Sequence, residues 1–261
     1  MKKCYVVGNP INHSLSPTIF NYLFKKNNIN AKYLKYNAKN KTDFLKFIKD
    51  KKFYGLNITL PYKRSAKKII ENQDKHITGA VINCIKNNQG TLEGYNTDEY
   101  GFLKMIEKIN LNFNNYDILI LGNGGSALTI SHALLNKTSN HLFIWGRNKD
   151  NVLNFIQKLS DKRVRPYENK TIKPLIVISC ISVDIDKRSS NSILSNISHN
   201  TIKLFIDLNY VETNLSLILK NENINVISGE DMFIYQALKT HEIWFGQHNS
   251  SYDDIKRLLN K

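Results

Sequence analysis

The chain alternates compact apolar runs with amphipathic stretches, and the two periods separate along most of its length. Lys3–Gly8 is an apolar run closed by a Gly-Asn-Pro turn, which predicts a short buried strand. Ser16-Pro17 then opens a segment with Ile19, Phe20, Leu23 and Phe24 on one face. That spacing predicts a helix with Ser16 as N-cap and Pro17 at its first position. The pattern continues with a strand over Lys32–Asn37, a short helix over Asp43–Asp50 and a strand over Tyr54–Leu60 stopped by Pro61. A helix over Lys63–Asn72 follows, then strand-like runs Ala80–Lys86 and Gly90–Gly94 joined by the turn Asn87–Gln89. An α/β domain of about 100 residues is the consequence.

A second series begins after a helix over Tyr100–Ile109 and a polar break at Asn110–Asn115. Tyr116–Leu121 reads as a buried strand, Gly122–Gly125 as a glycine-rich turn and Ser126–Asn136 as a helix. Strand His141–Trp145, helix Val152–Leu159 and strands Leu175–Cys180, Lys203–Leu208 and Asn225–Val226 with neighbours complete it. Strands alternating with helices at this spacing predict a parallel, doubly wound sheet. Helices over Met232–Trp244 and Tyr252–Leu259 close the chain, with no internal repeat and no low-complexity linker.

Composition places these elements in a globular protein. The 261 residues are 41% hydrophobic and 23% charged, which excludes wholesale disorder. The longest apolar runs, such as Ile118–Leu121 and Leu175–Ile178, fall far short of the roughly 20 residues a membrane helix needs. The opening apolar stretch stops at Asn9-Pro10, too short for a signal-peptide core. A soluble, cytoplasmic protein without a membrane partner is the expectation.

The net charge of +15 would suit a nucleic-acid binder. However, 31 of the 37 basic residues are Lys and only 6 are Arg, and they are spread along the chain among 35 Asn. Base and phosphate recognition favours the guanidinium fork. The charge therefore reads as a compositional bias of the surface, and no nucleic-acid partner is expected. Cys4, Cys84 and Cys180 form no CxxC pair and sit in apolar surroundings, so they read as small hydrophobes. The seven His show no ligand spacing, and no metal site is expected.

The turn Gly122-Asn123-Gly124-Gly125-Ser126-Ala127 lies between an apolar strand and a helix, with another strand about 20 residues on. Glycines allow the sharp turn and the close approach of a pyrophosphate, and the helix N-terminus supplies partial positive charge. This predicts dinucleotide binding. At the end of the next strand, Gly146-Arg147-Asn148-Lys149 is cationic and offers no carboxylate before Asp150. An Arg at that place suits a ribose 2′-phosphate, so NADP(H) is preferred to NAD(H).

Four further clusters place polar groups at strand ends: Gly8–Pro17, Gly55–Lys63, Gly79–Asn83 and Gly94–Asp98. Their hydroxyls and amides suit the OH groups of a small polyhydroxy acid, with Lys63 and Asp98 for proton transfer. Each also has a plainer reading: Ser16 as a cap, Asn57 as the partner of a turn, Asp98 as the cap of a helix starting near Glu99.

The segments GNPINHSLSP, GLNITLPYK, AVIN, GYNTDEYG, GNGGSA and GEDMFIYQALKTHEIWFG, in this order over nearly the whole chain, resemble the shikimate dehydrogenase family. The resemblance implies NADPH-dependent, reversible reduction of 3-dehydroshikimate to shikimate, on the route to aromatic amino acids. It implies a catalytic pair at Lys63 and Asp98. Ser14 and Ser16 would bind the substrate carboxylate, Thr59, Asn83 and Gln236 its hydroxyls, and Tyr210 its edge. Gly122, Asn123, Gly124, Gly125, Ser126, Ala127, Arg147, Asn148 and Lys149 would bind the cofactor, with Leu208 and Gly229 against the nicotinamide. The implied architecture has two domains: residues 1–100 with 237–261 for substrate, and a doubly wound Rossmann NADP-binding domain over 101–236. The last helices return to the first.

The chain departs from the family's pattern in four places. Phe20-Asn21 stands where His-Asn is frequent, and Thr240-His241 replaces a common Ser-Phe. Ser179–Asp184 replaces an Asn-Ala-Thr-Ser run and lacks its glycine, and Tyr210–Thr213 is shorter and lacks a proline. The last two fall on the cofactor side. The alternatives are a quinate or quinate/shikimate dehydrogenase using NAD and a non-catalytic ligand-binding protein on the same scaffold. Ser14 with Ser16 favours shikimate, and Arg147 favours NADP. The oligomeric state, a homodimer included, is left open.

Overall fold

A computed structural model of the chain describes residues 1–70, 72–73, 81–168, 174–182 and 185–260. Gly79 and Ala80 of the third polar cluster, and Val183 and Asp184 of the altered loop, lie outside them. The chain divides into two compact units, Met1–Phe102 with Ile234–Lys261, and Leu103–Phe233.

The first unit contains β1 (Lys2–Gly8), α1 (Ser16–Lys26), β2 (Ala31–Asn37), α2 (Lys41–Lys49), β3 (Gly55–Ile58), α3 (Lys63–Ala66), β4 (Asn72–Gln73), β5 (Cys84–Asn88) and β6 (Thr91–Tyr95), and leads into α4 (Thr97–Ile109). Its sheet has the order β2-β1-β3-β5-β6-β4. β1 pairs in parallel with β2 and β3, whereas β5 runs antiparallel to β3 and β6. Val7, Leu56, Ile58 and Ile85 bury one core with Phe44 and Ile48 of α2. The expected stripe of α1, Ile19, Phe20, Leu23 and Phe24, is fully buried. There Phe20 stacks on Tyr33 with ring centroids 4.4 Å apart.

Three expectations need correction here. The helix expected over Lys63–Asn72 is the single turn α3 and a 3-10 turn at Lys67–Ile69. The chain becomes extended at Ile70, and Asn72–Gln73 pairs in parallel with Glu93–Gly94. Strand pairing overrides the amphipathic pattern of these residues. Second, Ser16 is the first residue of α1, not its cap, and its own N–H donates to Ser14 Oγ at 3.3 Å. Third, α4 starts at Thr97, because Asn96 Oδ1 accepts from the N–H groups of Asp98 (3.1 Å) and Glu99 (3.3 Å).

The second unit holds β7 (Asp117–Leu121), α5 (Gly125–Leu135), β8 (Leu142–Trp145), α6 (Lys149–Leu159), β9 (Val164–Pro166), β10 (Leu175–Ser179), α7 (Lys187–Leu194), β11 (Ile202–Asp207), α8 (Asn214–Asn221) and β12 (Val226–Ser228). Every pairing in its sheet is parallel, in the order β12-β11-β10-β7-β8-β9. Counted within the unit, this is the doubly wound dinucleotide order 3-2-1-4-5-6. β7 and β10 are buried along their whole length, as central parallel strands are. α7, α8 and β9 carried no clear sequence signal. α7 is rich in Ser and Asn and is held by Asp186, which accepts from Ser189 N at 2.6 Å.

α9 (Glu230–Phe245) and α10 (Tyr252–Leu259) complete the chain. The end of α9 packs on the first unit: Trp244 Nε1 donates to Ile85 O at 3.0 Å, and Tyr54 OH donates to Trp244 O at 2.7 Å. Gly55 is glycine because a Cβ there would run into the Trp244 indole. Among the described residues no helix is long and apolar enough to cross a membrane.

Candidate active site

In the first unit, Lys63 and Asp98 meet. Lys63 opens α3 and Asp98 lies in the first turn of α4, where a carboxylate also favours the helix dipole. Lys63 Nζ donates to Asp98 Oδ2 at 2.6 Å, with the two side chains 12% and 10% exposed. The second oxygen of Asp98 accepts from Asn83 Nδ2 at 2.7 Å. Because Asn96 caps α4, Asp98 is released from capping and its carboxylate serves Lys63 and Asn83.

Asn83 is in turn held rigidly. Its Oδ1 accepts from Thr97 N at 2.7 Å, and its Nδ2 also donates to Thr97 Oγ1 at 3.0 Å. Thr97 Oγ1 lies 3.1 Å from Thr240 Oγ1 and 3.5 Å from Gln236 Oε1, which brings α9 into the cluster. Asn57 satisfies no turn: it accepts from Tyr33 OH at 2.8 Å and donates to Thr240 Oγ1 at 3.2 Å. Asn57, Asn83, Thr97, Asp98, Gln236 and Thr240 are all buried, and buried polar side chains of this kind persist only when hydrogen-bonded.

Thr59 stands at the end of β3 against Gly8, where a Cβ would collide with the Thr59 methyl. The bonds from Asn9 N to Leu60 O (3.0 Å) and Thr59 N to Val7 O (2.9 Å) join the ends of β1 and β3. Ser14 and Ser16, both buried, lie on the segment that leaves β1. The thiols of Cys4 and Cys84 are free and buried; burial pushes Cys84 up to about 12, so it is no nucleophile at neutral pH. Among the described residues no group of three or more His, Cys, Asp or Glu could hold a metal.

In the second unit, the glycine-rich turn follows β7 as expected. Gly122 has φ +106°, a conformation L side chains rarely adopt, and its N–H donates to Trp145 O at 2.8 Å. On the other side Cys180 N donates to Leu121 O at 2.9 Å, so the turn sits between β8 and β10, at the point where the strand order reverses. Gly124 is the N-cap of α5, and a Cβ on it would meet nothing within 4 Å. That open space beside the N-terminus of α5, where the helix dipole supplies partial positive charge, fits a pyrophosphate. Ala127 is fully buried and allows α5 to pack closely on the sheet. Asn123, Gly125 and Ser126 complete the turn.

The end of β8 carries exposed Arg147 and Lys149. Asn148, expected to bind the cofactor, is the N-cap of α6: its Oδ1 accepts from Asn151 N at 2.9 Å. Leu208 N donates to Ser179 O at 3.0 Å, and a Cβ on Gly229 would strike the Leu208 carbonyl. Tyr210 stacks on Phe233 with centroids 4.1 Å apart. The residues present thus fit an NADP-type dinucleotide.

Sequence reasoning did not single out Tyr33 and Thr240 as site residues in the first unit or Asp207 in the second, and it placed Asn57 and Thr97 in polar clusters without a specific role. Asp207 had a legible signal, a carboxylate closing the buried run of β11.

The model of the shikimate dehydrogenase substrate binding domain matches residues 6–85, the stretch that carries Ser14, Ser16, Thr59, Lys63 and Asn83. A Clostridium botulinum protein named shikimate dehydrogenase (NADP(+)) is 32% identical over 250 residues, covering 92% of this chain and 95% of its own. A Nitrosopumilus maritimus protein of the same name is 29% identical, over 97% of this chain and 96% of its own. The crystal structure of shikimate dehydrogenase from Aquifex aeolicus superposes with a TM-score of 0.84 at 26% identity, covering 100% of this chain and 98% of that one. With these likenesses running through both units, and with the Lys63–Asp98 pair and the glycine-rich turn in place, the chain belongs to the shikimate dehydrogenase family.

Proposed function

We propose that the chain catalyses the reversible, NADP-dependent oxidation of shikimate to 3-dehydroshikimate, with reduction as its biosynthetic direction. The observation that carries this reading is the bonded series Lys63–Asp98–Asn83, which pairs an amine with a carboxylate in a polar strand-end cluster. In oxidation, the Lys63 amine takes the proton of the reacting hydroxyl, and Asp98 holds Nζ in place and stabilises the ammonium that forms. In reduction, Lys63 returns that proton to the new alkoxide oxygen. NADP(H), when bound, supplies the hydride acceptor or donor.

Ser14 and Ser16 bind the substrate carboxylate through their hydroxyls. Thr59, Asn83 and Gln236 orient the ring hydroxyls, and Tyr210 closes the edge of the substrate. Gly122–Ala127 and the α5 N-terminus receive the pyrophosphate, and Arg147 with Lys149 the 2′-phosphate. Leu208 and Gly229 lie against the nicotinamide. Substrate thus belongs mainly to residues 1–100 and 237–261, with Tyr210 and Gln236 added from 101–236, the stretch that takes the dinucleotide. The partners are small molecules, and the chain works in the cytoplasm. Arg147, with no carboxylate at the end of β8, weighs against an NAD-dependent quinate dehydrogenase. Steady-state turnover of shikimate and quinate with each cofactor tests the reading: shikimate with NADP should dominate, and a predominance of quinate with NAD overturns it.

A further inference from the structure

We infer that Asp207 and Asn209 are positioning residues that preorganise the nicotinamide end of the dinucleotide site, an inference that rests on the cofactor reading above. Asp207 ends β11 and is 1% exposed. Its Oδ2 accepts from Thr213 Oγ1 at 2.5 Å and Ser216 Oγ at 2.7 Å. Its Oδ1 accepts from Asn209 N at 3.1 Å and Asn209 Nδ2 at 2.8 Å. Four donors on one buried carboxylate are strong, charge-assisted bonds, and they fix the segment from Asn209 to the first turn of α8 in one course.

Asn209 extends the clamp sideways in both directions. Its Nδ2 also donates to Ile181 O at 2.9 Å, just beyond β10, and its own carbonyl accepts from Gly229 N at 2.9 Å, just beyond β12. The bond from Leu208 N to Ser179 O at 3.0 Å runs beside it. A single Asp-Asn pair therefore ties the C-terminal ends of β10, β11 and β12, the edge of a parallel sheet where ligands bind. Leu208, Tyr210 and Gly229 all lie within this tied segment. With the loops already ordered, cofactor binding does not bear their ordering cost.

The consequence is specific to one end of the ligand. The adenosine bisphosphate half meets Gly122–Ala127 and Arg147 and does not depend on Asn209; the nicotinamide half does. Asn209→Ala removes the side-chain bridge to Ile181 and leaves the Thr213 and Ser216 bonds to Asp207, so folding is kept. Binding of NADPH and of adenosine 2′,5′-bisphosphate is measured by calorimetry on wild type and Asn209→Ala, with the thermal unfolding midpoint as control. Asn209→Ala should raise the Kd of NADPH about tenfold and leave that of the bisphosphate within about twofold. Asp207→Asn should act in the same direction and more strongly. An unchanged NADPH Kd, or an equal loss for both ligands, overturns the inference. A wild-type chain that binds neither ligand overturns the cofactor reading instead.

Discussion

Asp98 shows how one neighbouring residue sets a role. A carboxylate in the first turn of a helix ordinarily caps it, but Asn96 fills that place and leaves both Asp98 oxygens for Lys63 and Asn83. In the function proposed above, Arg147 carries the cofactor choice in the same local way, by its charge at the end of β8. Arg147→Ala should raise KM for NADP about tenfold or more and leave KM for NAD unchanged, since one charge-assisted phosphate contact is lost; equal KM ratios in wild type and variant would contradict that role. The motif residues were legible because they sit at strand ends between glycines and prolines. The roles of Asn57, Thr97 and Thr240 were not, since 35 Asn in the chain make one buried amide indistinguishable from many solvated ones. Only the fold tells that Asn57 lies under Tyr33 and Thr240.

At the scale of elements, long apolar periods were read well and short or polar ones were not. Tyr252–Leu259 is a helix with the expected limits, fixed by a capping box between Ser251 and Asp254. The glycine-rich turn and its flanking strand and helix also stand within one residue of expectation. α7 was missed because Ser and Asn dilute its stripe to Ser190, Ile193 and Leu194. α3 was overextended because pairing of β4 with β6 is non-local and leaves no mark in the local pattern. Packing of α9 on the first unit depends on Trp244, 1% exposed, over Gly55. Trp244→Ala should cost about 3–5 kcal/mol, read as a lowered urea midpoint; a loss below about 1 kcal/mol would show that this contact does not hold α9 in place.

For the whole molecule, the charge of +15 has a modest meaning: a positive field raises local concentrations of two anionic ligands and speeds their capture. The more specific global property is the response of stability to acid. His241 is fully buried beside Phe24, Phe245 and His248, with neither ring nitrogen hydrogen-bonded. Burial, and then the charge of His248, lower its pKa from 6.5 to about 4. The unfolded chain therefore binds the proton first. The contribution of His241 to stability should be complete above pH 6.5 and fall toward pH 4 by up to roughly 1.4 kcal/mol per pH unit. His241→Phe should flatten the urea midpoint between neutral pH and about pH 5; an unchanged slope would contradict this origin. The central claim concerns Lys63, and one comparison tests it most directly: the rate of NADPH formation at saturating shikimate and NADP, wild type against Lys63→Ala, with shikimate binding measured on both. The account predicts near-normal binding with turnover reduced about 10²–10⁴-fold. Unchanged turnover in Lys63→Ala would contradict it.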